Sequence, residues 1–168
     1  PITSGVPLPQ GIQTASWSLW DGGTQVPLQF TTLQGITPWI LLDFQTSLSP
    51  YQNKTLTLKD IPSTTTPSQS LQITEDASQI TIVTGPLKTQ LSKTQFNLFD
   101  FVWLDRNSDN IFDSSEQIVT STGDNIQILD STSGLTFSGR GTPSRITWEY
   151  QGPLRATLRV DGKYTNAN

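Results

Sequence analysis

The chain has 168 residues, with 10 Lys and Arg against 14 Asp and Glu, a net charge of −4, and no Cys, Met or His. That is the length of one domain. The missing side chains exclude disulfides, thiol and imidazole catalysis, a Ser-His-Asp triad, His/Cys zinc sites and haem ligation. The cations are scattered, which excludes the basic stripe a nucleic acid needs, and no apolar run approaches the roughly 18 residues of a membrane span.

In chain order, residues 1–10 are a Pro-rich apolar lead read as an extended arm. Ile2, Val6 and Leu8 would face a neighbour's sheet edge if the arm acted as a strand donor. Residues 14–20 alternate, with Ala15, Trp17 and Leu19 on one side, and Asp21-Gly22-Gly23 reads as a tight turn. Residues 25–33 resume a strand. Residues 38–45 form a near-continuous apolar run, suited to a strand buried on both faces. Further strands are predicted at 55–58, 71–73, 80–82, 86–92, 96–104, 117–121, 125–129, 134–138, 145–151 and 153–160. No segment carries a helical stripe beyond about two turns, and 25 Thr among many Val and Ile favour pleated structure. The expectation is a single all-β domain over 1–168, a barrel or a sandwich of antiparallel strands with long loops.

Three stretches interrupt that rhythm. Residues 62–70 are a Ser/Thr/Pro tract expected as a solvated loop, with a composition that also suits O-glycosylation. Asn53-Lys54-Thr55 matches the N-glycosylation acceptor, a match that a Thr-rich chain readily gives by chance. Tyr164 to Asn168 carry no apolar anchor and read as a polar tail.

The most specific local pattern runs from Asp105 to Glu116, within a hairpin expected over 98–121. It follows the twelve-position calcium loop. Oxygen side chains fall at positions 1, 3, 5 and 9 (Asp105, Asn107, Asp109, Asp113), Ile111 offers its carbonyl at position 7, and Glu116 closes position 12 as a bidentate ligand. Position 6 is Asn110, the residue after glycine most tolerant of a positive φ. Phe112 at position 8 is an apolar anchor. The flanks read as strands, so the ion would be a structural Ca²⁺ clip rather than a helix-opening sensor. The competing reading is a solvated acidic turn held by Asx hydrogen bonds.

Gly5–Gly11, Val26–Gln29, Trp39–Phe44, Thr84–Leu87 and Gly152–Gly162 occur in an order that resembles the N-terminal RIFT barrel of the exo-rhamnogalacturonan lyase-like family. The likeness spans most of the chain. It departs at Leu33–Pro38, where the family has an acidic-Gly-Ser stretch, and after Val160, where further strands are expected. In those lyases the barrel is accessory to a separate helical catalytic domain. The resemblance therefore implies a RIFT-barrel-like fold and no catalytic residue.

The residues themselves give the same motifs structural roles. Pro7 and Pro9 keep an entering segment extended, and Arg155, Thr157 and Arg159 share one strand face, either solvated or open to an anion. Asp43 and Asp100 are carboxylates without an evident catalytic partner, so no enzyme activity is expected. Trp17, Trp39 and Trp103 sit in apolar settings and are expected in the core. Trp20 and Trp148 are the candidates for stacking on a polysaccharide. Thr/Ser richness and the absent thiols suit an extracellular protein. The functional expectation is a non-enzymatic, calcium-stabilised structural subunit that forms a homo-oligomer by strand addition. A carbohydrate-binding accessory domain is the alternative.

Overall fold

The computed structural model describes residues 2–9, 11–12, 16–33, 38–68, 71–120, 123 and 126–166. Its elements are strands, apart from one 3-10 turn at Ser114–Glu116, and the sheets are antiparallel and open, with no closed barrel among the described residues. Length alone sets one domain as the expectation; contacts divide the chain into two compact units, residues 1–70 with 152–155, and residues 71–151 with 156–168.

The first unit holds β1 (Ile2–Pro7), β2 (Ser18–Asp21), β3 (Thr24–Val26), β4 (Leu28–Leu33), β5 (Trp39–Phe44) and β6 (Leu56–Lys59). One sheet has the order β1-β5-β4, the other β3-β2-β6. The turn at Asp21–Gly23 has Gly22 at φ 57°, which glycine adopts without a Cβ penalty. Pro27 separates β3 from β4 because it has no N–H for a ladder.

The apolar run 38–45 becomes the central strand β5. Ile40, Leu42 and Phe44 point inward and join Leu8, Trp17, Leu19 and Val26 in the core. The alternate side chains face the other way. There Trp39 is 44% exposed, which corrects its expected place in the core. The run is apolar enough to look two-sided, yet the pleat sends Trp39 and Ile40 to opposite faces.

On that second face, buried Asp43 accepts a hydrogen bond from Thr3 Oγ1 at 2.6 Å and lies 3.5 Å from the Arg155 guanidinium. Gln29, also buried, grips the backbone at 154–155. Its Oε1 accepts from Leu154 N at 2.7 Å and Arg155 N at 3.0 Å, and its Nε2 donates to Arg155 O at 2.8 Å. A Cβ on Gly152 would lie 2.4–2.5 Å from this amide. The Ser/Thr/Pro loop is pinned as well, since Gln25 Oε1 accepts from Thr64 N at 2.8 Å and Thr64 Oγ1 at 2.9 Å. Residues 69–70 lie outside the described residues.

The second unit holds β7 (Gln72–Glu75), β8 (Gln79–Val83), β9 (Leu87–Ser92), β10 (Phe101–Leu104), β11 (Gln117–Val119), β12 (Gln127–Leu129), β13 (Thr136–Ser138), β14 (Arg145–Gln151), β15 (Ala156–Asp161) and β16 (Thr165–Asn166). A five-stranded sheet runs β11-β10-β9-β8-β7 around buried Ile80, Leu91 and Val102. β14 pairs with β15, and a third sheet runs β12-β13-β16.

The strand expected over 96–104 exists only from Phe101. Ahead of it, Asn97 is fully buried and Leu98 turns through φ 64°, which ends any ladder there. The polar tail supplies β16 by pairing Thr165 and Asn166 with β13; residues 167–168 lie outside the described residues.

Candidate metal centre

The acidic loop leaves the end of β10 and returns to the start of β11. Asp105 follows Leu104 directly, donates its amide to Pro86 O at 2.7 Å, and is buried. Its two carboxylate oxygens organise the turn: Oδ1 accepts from Ser108 N at 2.6 Å and Oδ2 from Asn110 N at 2.9 Å. The backbone can curl this tightly because Ser108 and Asn110 take φ values of 63° and 61°. Position 6 of the pattern thus has the positive φ that the calcium loop requires there.

Asp109 is folded back by the same kind of bond. Its Oδ1 accepts from Ile111 N at 2.8 Å and its Oδ2 from Asn107 Nδ2 at 2.9 Å, while Asn107 Oδ1 accepts from Asp109 N at 3.0 Å. The short 3-10 turn then carries Glu116 inward. Glu116 is only 4% exposed; its Oε1 accepts from Arg106 N at 3.0 Å, and its Oε2 is buried with no hydrogen-bond partner.

These pieces converge. Asp105, Asp109 and Glu116 each place one carboxylate oxygen within 4.8 Å of the others. Two buried carboxylates at that separation repel by on the order of 3 kcal/mol at an effective dielectric of about 20. No Lys or Arg of the described residues pairs with any of the three. A buried carboxylate oxygen without a donor is costly by itself. A hard cation between the three would remove both penalties at once, and carboxylate oxygens are the donors that Ca²⁺ takes.

The other expected ligands stand differently. Asp113 is outside the cluster and caps the 3-10 turn, accepting from Ser115 N and Ser115 Oγ, both at 2.7 Å. Those bonds, led by the hydroxyl, hold its carboxyl below the ordinary range. Asn107 abuts Asp109 through its amide, and Ile111 is 63% exposed with its amide donated to Asp109. Phe112 is half-buried beneath the Lys88 ammonium, 5.7 Å from its ring centre.

The remaining candidates are engaged within the chain. Lys59 Nζ lies 4.0 Å over the Trp20 ring, and the Trp20 indole donates to Ser18 Oγ at 2.9 Å. The Trp148 indole donates to Glu75 Oε2 at 3.0 Å. Arg159 pairs with Asp161 at 2.8 Å and Glu149 at 3.9 Å. Arg155 precedes β15 and lies beside Asp43. Neither arginine offers an uncompensated charge to an anion.

Of the expected strand-donor segment, Ile2 and Val6 lie in β1, paired antiparallel with β5 of the same chain from Ile2↔Phe44 to Pro7↔Trp39, and Leu8 belongs to the core. Sequence reasoning missed the Gln29 grip; nothing local in the sequence signals it. Neither a comparison with protein-family models nor one with curated proteins gives a match to this chain.

Proposed function

We propose that this chain is a non-enzymatic, extracellular structural domain of RIFT-barrel-like type, which holds one Ca²⁺ in the 105–116 loop and self-associates by strand addition. One observation carries the reading: the buried, unpartnered Oε2 of Glu116 beside the carboxylates of Asp105 and Asp109. The ion would tie the end of β10 to the start of β11, taking the place in stability that disulfides have in other secreted domains. The absence of His and Cys supports a non-catalytic role.

Thermal unfolding with calcium and with chelator tests the site. At calcium 100 times the dissociation constant, linkage adds about 2.7 kcal/mol and raises the midpoint. An unchanged midpoint refutes the site.

Self-association is supported by β1, an edge strand that is exposed along most of its length and pairs on one side only among the described residues. Ser4→Lys puts a charge on that edge, and a lysine there disfavours pairing with another strand. Native oligomers or fibres seen by light scattering and negative-stain imaging are expected to disperse in this variant. Assemblies that persist unchanged refute the role of β1.

A further inference from the structure

The second unit's largest sheet ends on β11, and that strand is weakly held. It has three residues, its register with β10 contains two pairs (Val102↔Val119 and Trp103↔Gln117) with an irregularity between them, and Ile118 is 47% exposed. β8, in contrast, has partners on both sides and contains Ile80, 1% exposed. The carboxylate cluster sits at the weak seam. Asp105 extends β10, Glu116 immediately precedes β11, and their side chains are 7% and 4% exposed. Any repulsion between these two residues therefore acts across the β10–β11 seam.

We propose, resting on the calcium reading above, that the cation is a lock on this edge: bound, it docks β11 on β10; removed, it lets β11 lift and leaves β10 as the open edge of the sheet. The two ligand-bearing ends separate when β11 lifts, so the open form has no assembled site. A ligand that binds only the closed form suppresses opening in proportion to its concentration over its dissociation constant. An edge strand that leaves under chelation turns a paired β10 into a template for strand pairing. Calcium would thereby regulate which edges this chain offers to another.

Hydrogen exchange of the full chain tests the lock, with terbium luminescence and calorimetry reporting whether the site is filled. At calcium 100 times the dissociation constant, exchange in 117–119 is expected to slow about 100-fold relative to chelator. Exchange in 79–83 is expected to stay the same.

Glu116→Gln separates a lock from simple loss of structure. Its side-chain carbonyl keeps the acceptor for Arg106 N, and its amide turns repulsion from the neighbouring carboxylates into donation. In chelator this variant is expected to protect 117–119 better than the wild type, and to respond little to calcium. The proposal is overturned if calcium binds while 117–119 exchanges at an unchanged rate, if 79–83 loses protection equally, or if Glu116→Gln is less protected at 117–119 than the wild type in chelator. An absence of any calcium binding overturns the site itself, and with it the lock.

Discussion

Gly152→Ala is a small change with a large expected cost, and the reason is a single side chain. The new Cβ would fall 2.4–2.5 Å from three atoms of the Gln29 amide, well inside contact distance. Gln29 is 8% exposed and makes three hydrogen bonds to the 154–155 backbone, at 2.7, 3.0 and 2.8 Å. It cannot yield without releasing them. Each such bond contributes about 1 kcal/mol net, and a group left unpaired in a buried place costs more. Gly152→Ala is therefore expected to destabilise by about 3 kcal/mol. Gln29→Ala removes the same three bonds and is expected to cost a similar amount.

The double variant removes the clash together with the amide. Its cost is expected to stay close to that of either single change, giving a coupling energy of about 3 kcal/mol. Urea unfolding followed by tryptophan fluorescence, with linear extrapolation, measures all four corners of the cycle. Costs that add to within about 0.5 kcal/mol, as for distant independent sites, would refute the argument.

Ile40→Ala removes a fully buried side chain from the central strand β5. Three carbons at about 0.8 kcal/mol each, plus the cavity left behind, give an expected loss of about 3–4 kcal/mol by urea unfolding. Glu75→Gln concerns pH. The carboxyl of Glu75 is held below its ordinary value by its hydrogen bond from Lys93, then by that from the Trp148 indole. A depressed folded value contributes stability above the unfolded value and loses it as pH falls through the folded one. The wild type is expected to lose stability through that acidic interval, and Glu75→Gln to show a flatter profile there. Parallel profiles from acid–urea titrations would exclude the contribution.

Pattern made many strands legible: β6, β7 and β8 lie where the period-2 alternation puts them, and the apolar run at 38–45 becomes β5. What failed did so for physical reasons. Trp39 belongs to an apolar run whose composition hides which face each residue takes, and only the pairing of β5 with β1 and β4 decides it. The strand predicted from residue 96 stops short because Asn97 is buried by contacts the local sequence does not encode, and Leu98 adopts a backbone conformation that leucine disfavours.

In the acidic loop, the spacing named Asp105, Asp109 and Glu116, whose carboxylates the fold brings within 4.8 Å of one another; local turns make such a convergence legible in sequence. The same spacing also named Asp113, which stands apart from those three and caps the 3-10 turn. Ser115, two residues later, offers that carboxylate a nearer amide and hydroxyl. The Gln29 grip spans more than 120 residues of sequence and uses backbone atoms, so no residue type at the far end announces it.

The pinning of Thr64 by Gln25 has a consequence for how this chain can change length. Residues 60–63, between the end of β6 and Thr64, thereby form a short arc of the first unit with both ends held. Closure entropy rises only logarithmically with the number of residues in an arc. Extra sequence inserted into this arc would therefore cost little, so it is a place where the first unit could carry a foreign peptide while its sheets stay intact.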